Sequence, residues 1–153
     1  MSRVALLDVN LLIALFDGDH VHHDLAHDWF ADQRADGWAT CPVTENGLIR
    51  VLSNPAYGSP VSSLSALVRA LGKFTRSGHH HRWDDVVSLG DATLFNVAAV
   101  RGHRQITDVY LLGLAHKKGG CLATFDRSIP LGAVVGATRK DLTVIAPVEE
   151  AEG

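Results

Sequence analysis

Short apolar segments that end on an acidic residue alternate along this chain with segments of helical periodicity. One such apolar segment covers residues 4–7 and is followed by Asp8, and another covers residues 121–125 and is followed by Asp126. An uninterrupted apolar strand is typical of a parallel sheet that is buried on both faces, and parallel strands are joined by crossovers that are usually helical. The alternation therefore predicts a three-layer α/β/α domain with a mainly parallel central sheet.

The apolar periodicity also predicts approximate bounds for each element. The predicted strands cover residues 3–7, 38–41, 83–89, 121–124 and 142–145. The predicted helices cover residues 10–16, 22–34, 44–53, 62–74, 91–100 and 108–118. Asn10, Thr44 and Thr107 stand at the start of three of these helices, and their side chains are expected to act as N-caps. The pair Gly119-Gly120 predicts the end of the last helix.

The chain length is sufficient for one domain with a sizeable core. We expect that domain to cover residues 1–147, followed by a short acidic tail over residues 148–153. Polar residues at positions 8 and 10 interrupt the first apolar stretch, which argues against a signal peptide. Two cysteines, Cys41 and Cys121, are too few for a disulfide framework, so buried reduced thiols and a cytoplasmic location are expected.

Charge is distributed unevenly behind a net value of −3. Residues 1–68 carry 3 basic and 8 acidic side chains, whereas residues 69–140 carry 11 basic and 5 acidic ones. The segment from residue 141 onward has 4 acidic side chains and no basic one. A basic second half suits a polyanionic partner such as a nucleic acid, although scattered surface charge explains the count equally well.

Four acidic residues are expected at the same edge of the sheet. Asp8 and Asp126 end strands, whereas Glu45 and Asp108 each follow a threonine at the start of a helix. In a parallel α/β sheet, the strand C-termini and the N-termini of the following helices lie along one edge, where ligands bind. The positive helix ends should help to keep Glu45 and Asp108 ionised. Carboxylates gathered in this way repel each other, so the pattern indicates a cation site.

Four segments built around these acids resemble the acidic motifs of PIN-domain ribonucleases. The segments are residues 4–10, 42–45, 106–111 and 123–126. Their order extends the resemblance over nearly the whole chain, which within that family is most similar to VapC toxins of type II toxin–antitoxin pairs. The resemblance implies a PIN-like nuclease domain and a metal-dependent endoribonuclease toxin that cleaves structured RNA, either tRNA or a ribosomal RNA loop. It also implies inhibition by a cognate VapB-like antitoxin, and a homodimer or a toxin–antitoxin hetero-oligomer.

Magnesium suits a site of this composition, with Mn²⁺ as a substitute. Mg²⁺ prefers carboxylate and water oxygens and takes few protein ligands, and a pair of such ions can activate a water and stabilise the leaving oxygen in phosphodiester hydrolysis. We expect Asp8, Glu45, Asp108 and Asp126 to be the catalytic, metal-binding residues. Asp8 and Asp108 are expected to bind directly, and Glu45 and Asp126 directly, through water or at a second ion.

Polar and basic neighbours of the acids are expected to support the site. Asn10 and Thr107 can orient ligands or bind phosphate by hydrogen bonds. Arg101, Arg104 and Arg127 are close in sequence to the acidic motifs and are the expected contacts for the RNA backbone. Single-stranded loops are the accessible targets, since their bases are splayed out.

Three alternatives compete with a ribonuclease. His23 and His27 are four residues apart on a predicted helix, and residues 79–81 are all histidine, but neither group supplies a closed zinc ligand set. A catalytically silent RNA- or antitoxin-binding module would gain nothing from acids that face phosphate. An aspartate-nucleophile phosphotransfer enzyme generally needs a second acid two residues after Asp8, where this chain has Asn10.

Overall fold

A computed structural model describes residues 3–58 and 63–147, so the predicted acidic tail over residues 148–153 and the predicted helix start at residue 62 lie outside the described residues. The strands of the described part are β1 (Ala5–Leu7), β2 (Trp38–Thr40), β3 (His80–Arg82), β4 (Cys121–Thr124) and β5 (Leu142–Val144). The longer helices are α1 (Val9–Phe16), α2 (His23–Gln33), α3 (Pro42–Ser53), α4 (Leu64–Thr75) and α5 (Ile106–Lys117). Three-residue 3₁₀ helices occupy Arg34–Asp36, Pro55–Tyr57, Val97–Ala99, His103–Gln105, Leu131–Ala133 and Arg139–Asp141.

The five strands form one sheet in the order β3-β2-β1-β4-β5. All four strand pairings are parallel, which confirms the predicted sheet. The central strand is β1, in which Leu6 lies opposite Ala39 of β2 and Leu122 of β4. The chain extends the sheet from β1 first to one side and later to the other. Such a change of direction opens a crevice at the carboxyl end of the central strand.

Helices cover both faces of the sheet because its strands are apolar on both sides. Ala5 and Leu7 of β1 belong to a core shared with α1 to α4, whereas Leu6 belongs to a second core shared with α5. Successive side chains of a strand point to opposite faces, so this division follows directly from the alternation within β1. The result is the expected α/β/α arrangement of three layers.

The strand predicted over residues 83–89 is wrong. The strand of this region is β3, three residues earlier, and it is polar and largely exposed. It lies at the edge of the sheet and pairs only with β2, so ladder hydrogen bonds rather than apolar burial hold it there. The backbone amide of Trp83 still donates to the carbonyl of Thr40, after which the chain leaves the sheet and the Trp83 ring is buried in the second core.

The helix predicted over residues 91–100 is also wrong. This segment forms turns and the short 3₁₀ helix Val97–Ala99. The Asp91 carboxylate accepts hydrogen bonds from both the amide (3.0 Å) and the hydroxyl (2.6 Å) of Thr93, and such local side-chain bonds compete with helix formation. Phe95 instead forms an antiparallel bridge with Val134 and is buried in the second core.

None of the three predicted N-caps is the observed one. Asn10 lies within the first turn of α1, which is capped by the carboxylate of Asp8. Thr44 lies inside α3, which begins two residues earlier at Pro42, a residue well suited to a first helical position. Thr107 lies inside α5, where a 3₁₀ turn leads directly into the helix.

Several smaller expectations are confirmed. Helix α5 ends where predicted, at a glycine (Gly119) whose φ of +73° lies in the left-handed region. Cys41 and Cys121 are both buried and free of disulfide bonds. Among the helices of residues 3–58 and 63–147, none combines the length and apolar character that a bilayer crossing demands.

Gly120 stands where the chain enters β4, and its lack of a side chain is required by packing. A Cβ atom at this position would overlap the backbone carbonyl of Val4 and lie 2.6 Å from the Trp83 ring. We expect Gly120→Ala to lower the free energy of unfolding by about 1–3 kcal/mol, because a backbone carbonyl in the sheet has little room to move. Urea unfolding followed by circular dichroism would measure the change.

The matched control is Gly132→Ala, because a Cβ atom there would meet no atom within 4 Å. We expect that variant to unfold within about 0.5 kcal/mol of the parent chain. Equal losses of stability in the two variants would show that close packing at the start of β4 is not the reason for glycine at position 120.

Candidate active site

Asp8 lies at the carboxyl end of the central strand and begins α1. Its Oδ1 accepts a hydrogen bond of 2.7 Å from the amide of Leu11, and its own amide donates to the carbonyl of Ala123. Its side chain is buried, and burial raises its pKa to about 6, although hydrogen bonds from Thr124 and Leu11 act in the opposite direction. A buried carboxylate with a raised pKa gains free energy from a nearby cation.

Asp108 and Asp126 lie close enough to Asp8 to affect its ionisation. The charges of both residues raise the pKa of Asp8 further. The pKa of Asp108 is itself raised, mainly by burial and in addition by the charge of Asp126. Burial among like charges therefore outweighs other influences on Asp108, and the expected contribution of the helix N-terminus to its ionisation stays a prediction. Three of the four acids thus lie within electrostatic range of one another at one edge of the sheet.

Asp126 is held by the turn that follows β4. Its Oδ1 accepts hydrogen bonds from the amide (2.7 Å) and hydroxyl (2.6 Å) of Ser128. Its amide donates to the Thr124 hydroxyl at 3.0 Å. The Thr124 side chain also lowers the pKa of Asp8, so it lies near both strand-end aspartates. The Asp126 side chain is exposed, in contrast to that of Asp8.

Glu45 is held by a separate network. One carboxylate oxygen accepts a hydrogen bond of 3.0 Å from the Arg82 guanidinium, and the other accepts one of 2.7 Å from the Thr40 hydroxyl. The Thr40 oxygen also lies 2.7 Å from Nε2 of His80. Because Thr40 donates its hydroxyl proton to Glu45, its oxygen acts as the acceptor toward His80, and Nε2 of His80 is the donor. Burial lowers the pKa of His80, which agrees with a neutral ring in that tautomer. In this structure Glu45 is neutralised by Arg82.

The Arg82 pairing leads to a stability prediction. The Glu45 side chain is only 11% exposed, whereas that of Arg82 is 57% exposed. Arg82→Met keeps the apolar stem but removes the charge, which leaves a nearly buried carboxylate with the Thr40 hydroxyl as its remaining donor. We expect a loss of about 1 kcal/mol in the free energy of unfolding in the presence of EDTA, a modest value because the guanidinium is largely solvated.

Arg101→Met is the control for this measurement, since Arg101 is exposed on the loop before α5. Thermal and urea unfolding of both variants would be compared with the parent chain. If both arginine variants are equally stable, the ion pair with Glu45 contributes nothing to the fold.

A cleft of about 540 Å³ opens beside Asp8 and Asp108. Of the other predicted residues, Asn10, Thr107 and Arg104 line it, whereas Arg101 and Arg127 line two separate depressions. Glu45 and Asp126 stand outside the lining of this cleft, which is completed by Val9, Val43, Asn46, Gly47 and Arg50.

Arg50 is a basic residue of the cleft that the sequence interpretation missed. It lies on α3 at a helical spacing from Val43, Asn46 and Gly47, so these residues share one face of the helix. That periodicity was a usable signal, since Val43 at the start of this face belongs to the predicted acidic motif over residues 42–45. Arg50 and Arg104 place two exposed guanidinium groups around the aspartates.

The donor set suits a hard cation with a partly retained hydration shell. Within the parts of the chain that the structure describes, no three histidine, cysteine, aspartate or glutamate side chains are grouped closely enough to hold one ion. Mg²⁺ dehydrates reluctantly and is usually bound through one or two carboxylates together with waters and substrate phosphates. The repulsion between Asp8 and Asp108 is the observation that favours a cation there.

The histidines that suggested zinc have structural partners instead. Nδ1 of His23 lies 2.7 Å from the carbonyl oxygen of Ala14, and Nε2 of His27 lies 3.1 Å from that of Leu15. Both rings therefore hydrogen-bond to carbonyl groups of α1. The His79–His81 run enters β3, where His80 bonds to Thr40. The described histidines thus form no group of three metal ligands.

Comparisons with known proteins agree with the fold, and the matched residues span all four acidic positions. The PIN domain family model matches residues 5–132. Ribonuclease VapC44 of Mycobacterium tuberculosis is 43% identical over 141 residues, which cover 92% of this chain and 99% of that protein. Ribonuclease VapC39 of the same organism is 39% identical, over 86% of this chain and 95% of that protein. Ribonuclease VapC38 is 40% identical, over 82% of this chain and 87% of that protein. The chain belongs to the PIN-domain family, in its VapC group.

Proposed function

We propose that this chain is a metal-dependent endoribonuclease toxin that cleaves structured RNA, at a tRNA or ribosomal RNA loop, and is inhibited by a cognate VapB-like antitoxin. The observation that carries the proposal is the group formed by Asp8, Asp108 and Asp126 at the carboxyl edge of the sheet, in which two pKa values are raised. The similarity to proteins named ribonuclease VapC supports the RNA substrate and the toxin class.

Asp8 and Asp108 are the residues that would hold Mg²⁺ or Mn²⁺ directly. A bound ion of this kind supplies an activated water and stabilises charge on the leaving oxygen. The Leu11 amide holds the Asp8 carboxylate in place, so that little reorganisation is needed. Asp126 would act through water, since its Oδ1 already accepts two hydrogen bonds from Ser128.

Basic and polar residues of the cleft would orient the RNA. Arg50 and Arg104 can form charge-assisted hydrogen bonds with phosphate oxygens. Asn10 and Thr107 line the same cleft and can bind phosphate or ribose by hydrogen bonds. Glu45 would join the acidic group only after its carboxylate leaves Arg82, which makes it the least direct of the four predicted ligands.

The test is cleavage of total RNA by the purified chain, free of any antitoxin. The parent chain should cut RNA with Mg²⁺ or Mn²⁺ and stop in EDTA. Asp8→Asn and Asp108→Asn should each lower the rate by about 100-fold or more, since each removes a charge that balances the cation. Asp24→Asn is the matched control, because Asp24 is an exposed acid on α2.

If both active-site variants cleave as well as the parent chain, the proposed centre is wrong. If the parent chain binds RNA but neither cleaves it nor binds Mg²⁺ or Mn²⁺ by calorimetry, the chain is instead a catalytically silent binding module. Mapping of new RNA ends after induction in cells would then identify the tRNA or ribosomal RNA target. Co-purification with the product of a neighbouring short gene would test inhibition by an antitoxin.

A further inference from the structure

Three aromatic rings form a cluster beside the acidic edge. His20 and His22 come from the connection between α1 and α2, and Phe125 follows β4. The ring centroids of His22 and Phe125 are 4.8 Å apart, those of His20 and Phe125 are 6.5 Å apart with nearly parallel planes, and those of the two histidines are 5.8 Å apart. These distances are typical of interacting aromatic pairs. His20, His22 and Phe125 are called the aromatic platform below.

The connection that carries the two histidines is held in a fixed conformation. The Asp17 carboxylate accepts hydrogen bonds from the Tyr57 hydroxyl (2.7 Å) and the Asp19 amide (3.0 Å). The His20 amide donates to the Asp17 carbonyl, and the His22 amide donates to Nδ1 of His20 at 3.0 Å. The platform therefore does not have to be ordered when a ligand arrives, which lowers the free-energy cost of binding.

The platform histidines differ from their neighbours on α2. His23 and His27 are bonded to backbone carbonyl groups of α1, so their role in stabilising the fold is evident. Within residues 3–58 and 63–147, the His20 ring is engaged through Nδ1 alone, as an acceptor, which leaves the proton on Nε2 and makes that atom a donor. Among the described residues, no hydrogen bond engages the ring nitrogens of His22, and both platform imidazoles are partly exposed. Part of each imidazole is therefore open to solvent and to a ligand.

The platform is one residue away from the acidic group. Phe125 packs against the first core and directly precedes Asp126. The charge of Asp126 in turn raises the pKa values of Asp8 and Asp108. A ligand that spans the acids and the platform therefore needs charge at one end and a flat, stackable group beside it. A nucleotide of single-stranded RNA has both.

We propose that the aromatic platform stacks an unpaired nucleobase of the RNA whose backbone lies over Asp8, Asp108 and Asp126. The inference rests on the proposed function and names a part of the substrate that the acids do not recognise. Aromatic side chains commonly bind the faces of splayed bases in single-stranded RNA, and imidazole edges add hydrogen bonds to the base. The platform would thus select an unpaired nucleotide next to the cleaved bond.

The test measures binding rather than cleavage. A short fluorescein-labelled single-stranded RNA is titrated with the chain in EDTA, so that no turnover occurs, and the dissociation constant is obtained from anisotropy. His22→Ala should weaken binding about tenfold, within the range found for single base–aromatic contacts. Val21→Ala is the matched control, because Val21 lies between the two histidines and is 87% exposed. It should change the affinity less than twofold. His22→Phe keeps a ring and should retain most of the affinity.

A single abasic site moved along the RNA identifies the stacked base. At one position, the abasic site should weaken RNA binding by the parent chain as much as the substitution His22→Ala does. The same abasic RNA should bind the His22→Ala variant no more weakly than intact RNA does, as expected for a direct pair in a double-mutant cycle. Phe125→Leu keeps apolar bulk against the core but removes the supporting ring, so this variant should show the same loss of RNA affinity. It keeps the test valid if the His22 variant unfolds.

The outcomes separate the two proposals. If the parent chain binds and cleaves RNA but the variants His22→Ala and Phe125→Leu bind as tightly as the parent, the platform has no role and only this inference fails. Equal effects of the abasic site at every position, or an equal loss for Val21→Ala, also overturn it. If the parent chain binds no RNA in any condition, the proposed function fails as well.

Discussion

Asp8→Asn is expected to raise the free energy of unfolding of the metal-free chain by about 3 kcal/mol at pH 8, although it removes a proposed catalytic residue. The folded-state pKa of Asp8 is about 6, above its ordinary value of 3.8. A pKa raised by folding means that the charged form destabilises the fold, so the parent chain loses stability as the pH rises from about 4 to 6. Asparagine avoids that cost and still caps α1.

Urea unfolding in EDTA at pH 4 and pH 8 would measure this effect. The advantage of Asp8→Asn should be small at pH 4 and nearly constant above pH 6. Added Mg²⁺ should then stabilise the parent chain more than the variant, because only the parent retains both expected ligands. A difference between the two proteins that does not change with pH would contradict the prediction.

Asp141→Asn is the control of opposite sign. Burial raises the pKa of Asp141, but bonds from the Thr138 amide and the His116 ring, together with the charge of Arg3, lower it overall. A lowered folded-state pKa contributes stability above the unfolded value, and that stability is lost as the pH falls through the folded value. Asp141→Asn should therefore be less stable than the parent at pH 8, with a deficit that shrinks in acid.

Trp38→Ala is expected to cost about 3–5 kcal/mol of unfolding free energy, the range for deletion of a large buried ring. The Trp38 side chain is completely buried on β2 and packs against Phe30, Phe74 and His80 at centroid distances of 5.1, 4.6 and 4.6 Å. Its indole Nε1–H also donates to the Gly78 carbonyl at 2.9 Å. The deletion would leave a cavity between two helices and the edge of the sheet.

Trp29→Ala provides the comparison for Trp38→Ala, because Trp29 is only partly buried against the same core. Its loss should be roughly half as large, since less apolar surface returns to water. Equal losses in denaturant unfolding would contradict the assignment of Trp38 as the main ring of this core. The Trp38 variant should also weaken the β2–β3 pairing that brings Arg82 to Glu45.

The central strands were predictable because burial on both faces leaves an unambiguous apolar pattern. Strand β4 has the predicted bounds, and the predicted strand ending at Leu7 differs from β1 only at its first residues. Strand β3 could not be found in this way, because an edge strand with one partner and two exposed residues carries no such pattern. Its position depends on pairing with β2, about 40 residues away, and edge strands are often polar.

The site was only partly predictable for a similar reason. Strand ends and helix starts identify residues that converge on one edge, where Asp108 and Asp126 lie near enough to Asp8 for their charges to raise its pKa. The engagement of Glu45 by Arg82 depends on a residue 37 positions away on an edge strand that the sequence did not reveal. Side-chain partners across a sheet are set by register, which short apolar patterns leave undetermined.

The central position of β1 has a consequence for how the chain is made. Ala5 pairs with Cys121, and the three grouped aspartates come from positions 8, 108 and 126. Contacts between such distant parts form late, because the ends of a long loop must first meet. A ribosome therefore releases most of the chain before the acidic cleft can assemble. Incomplete translation products that stop before β4 would lack both the β1–β4 pairing and Asp126, so the three aspartates can be grouped only after the chain has been made beyond residue 126.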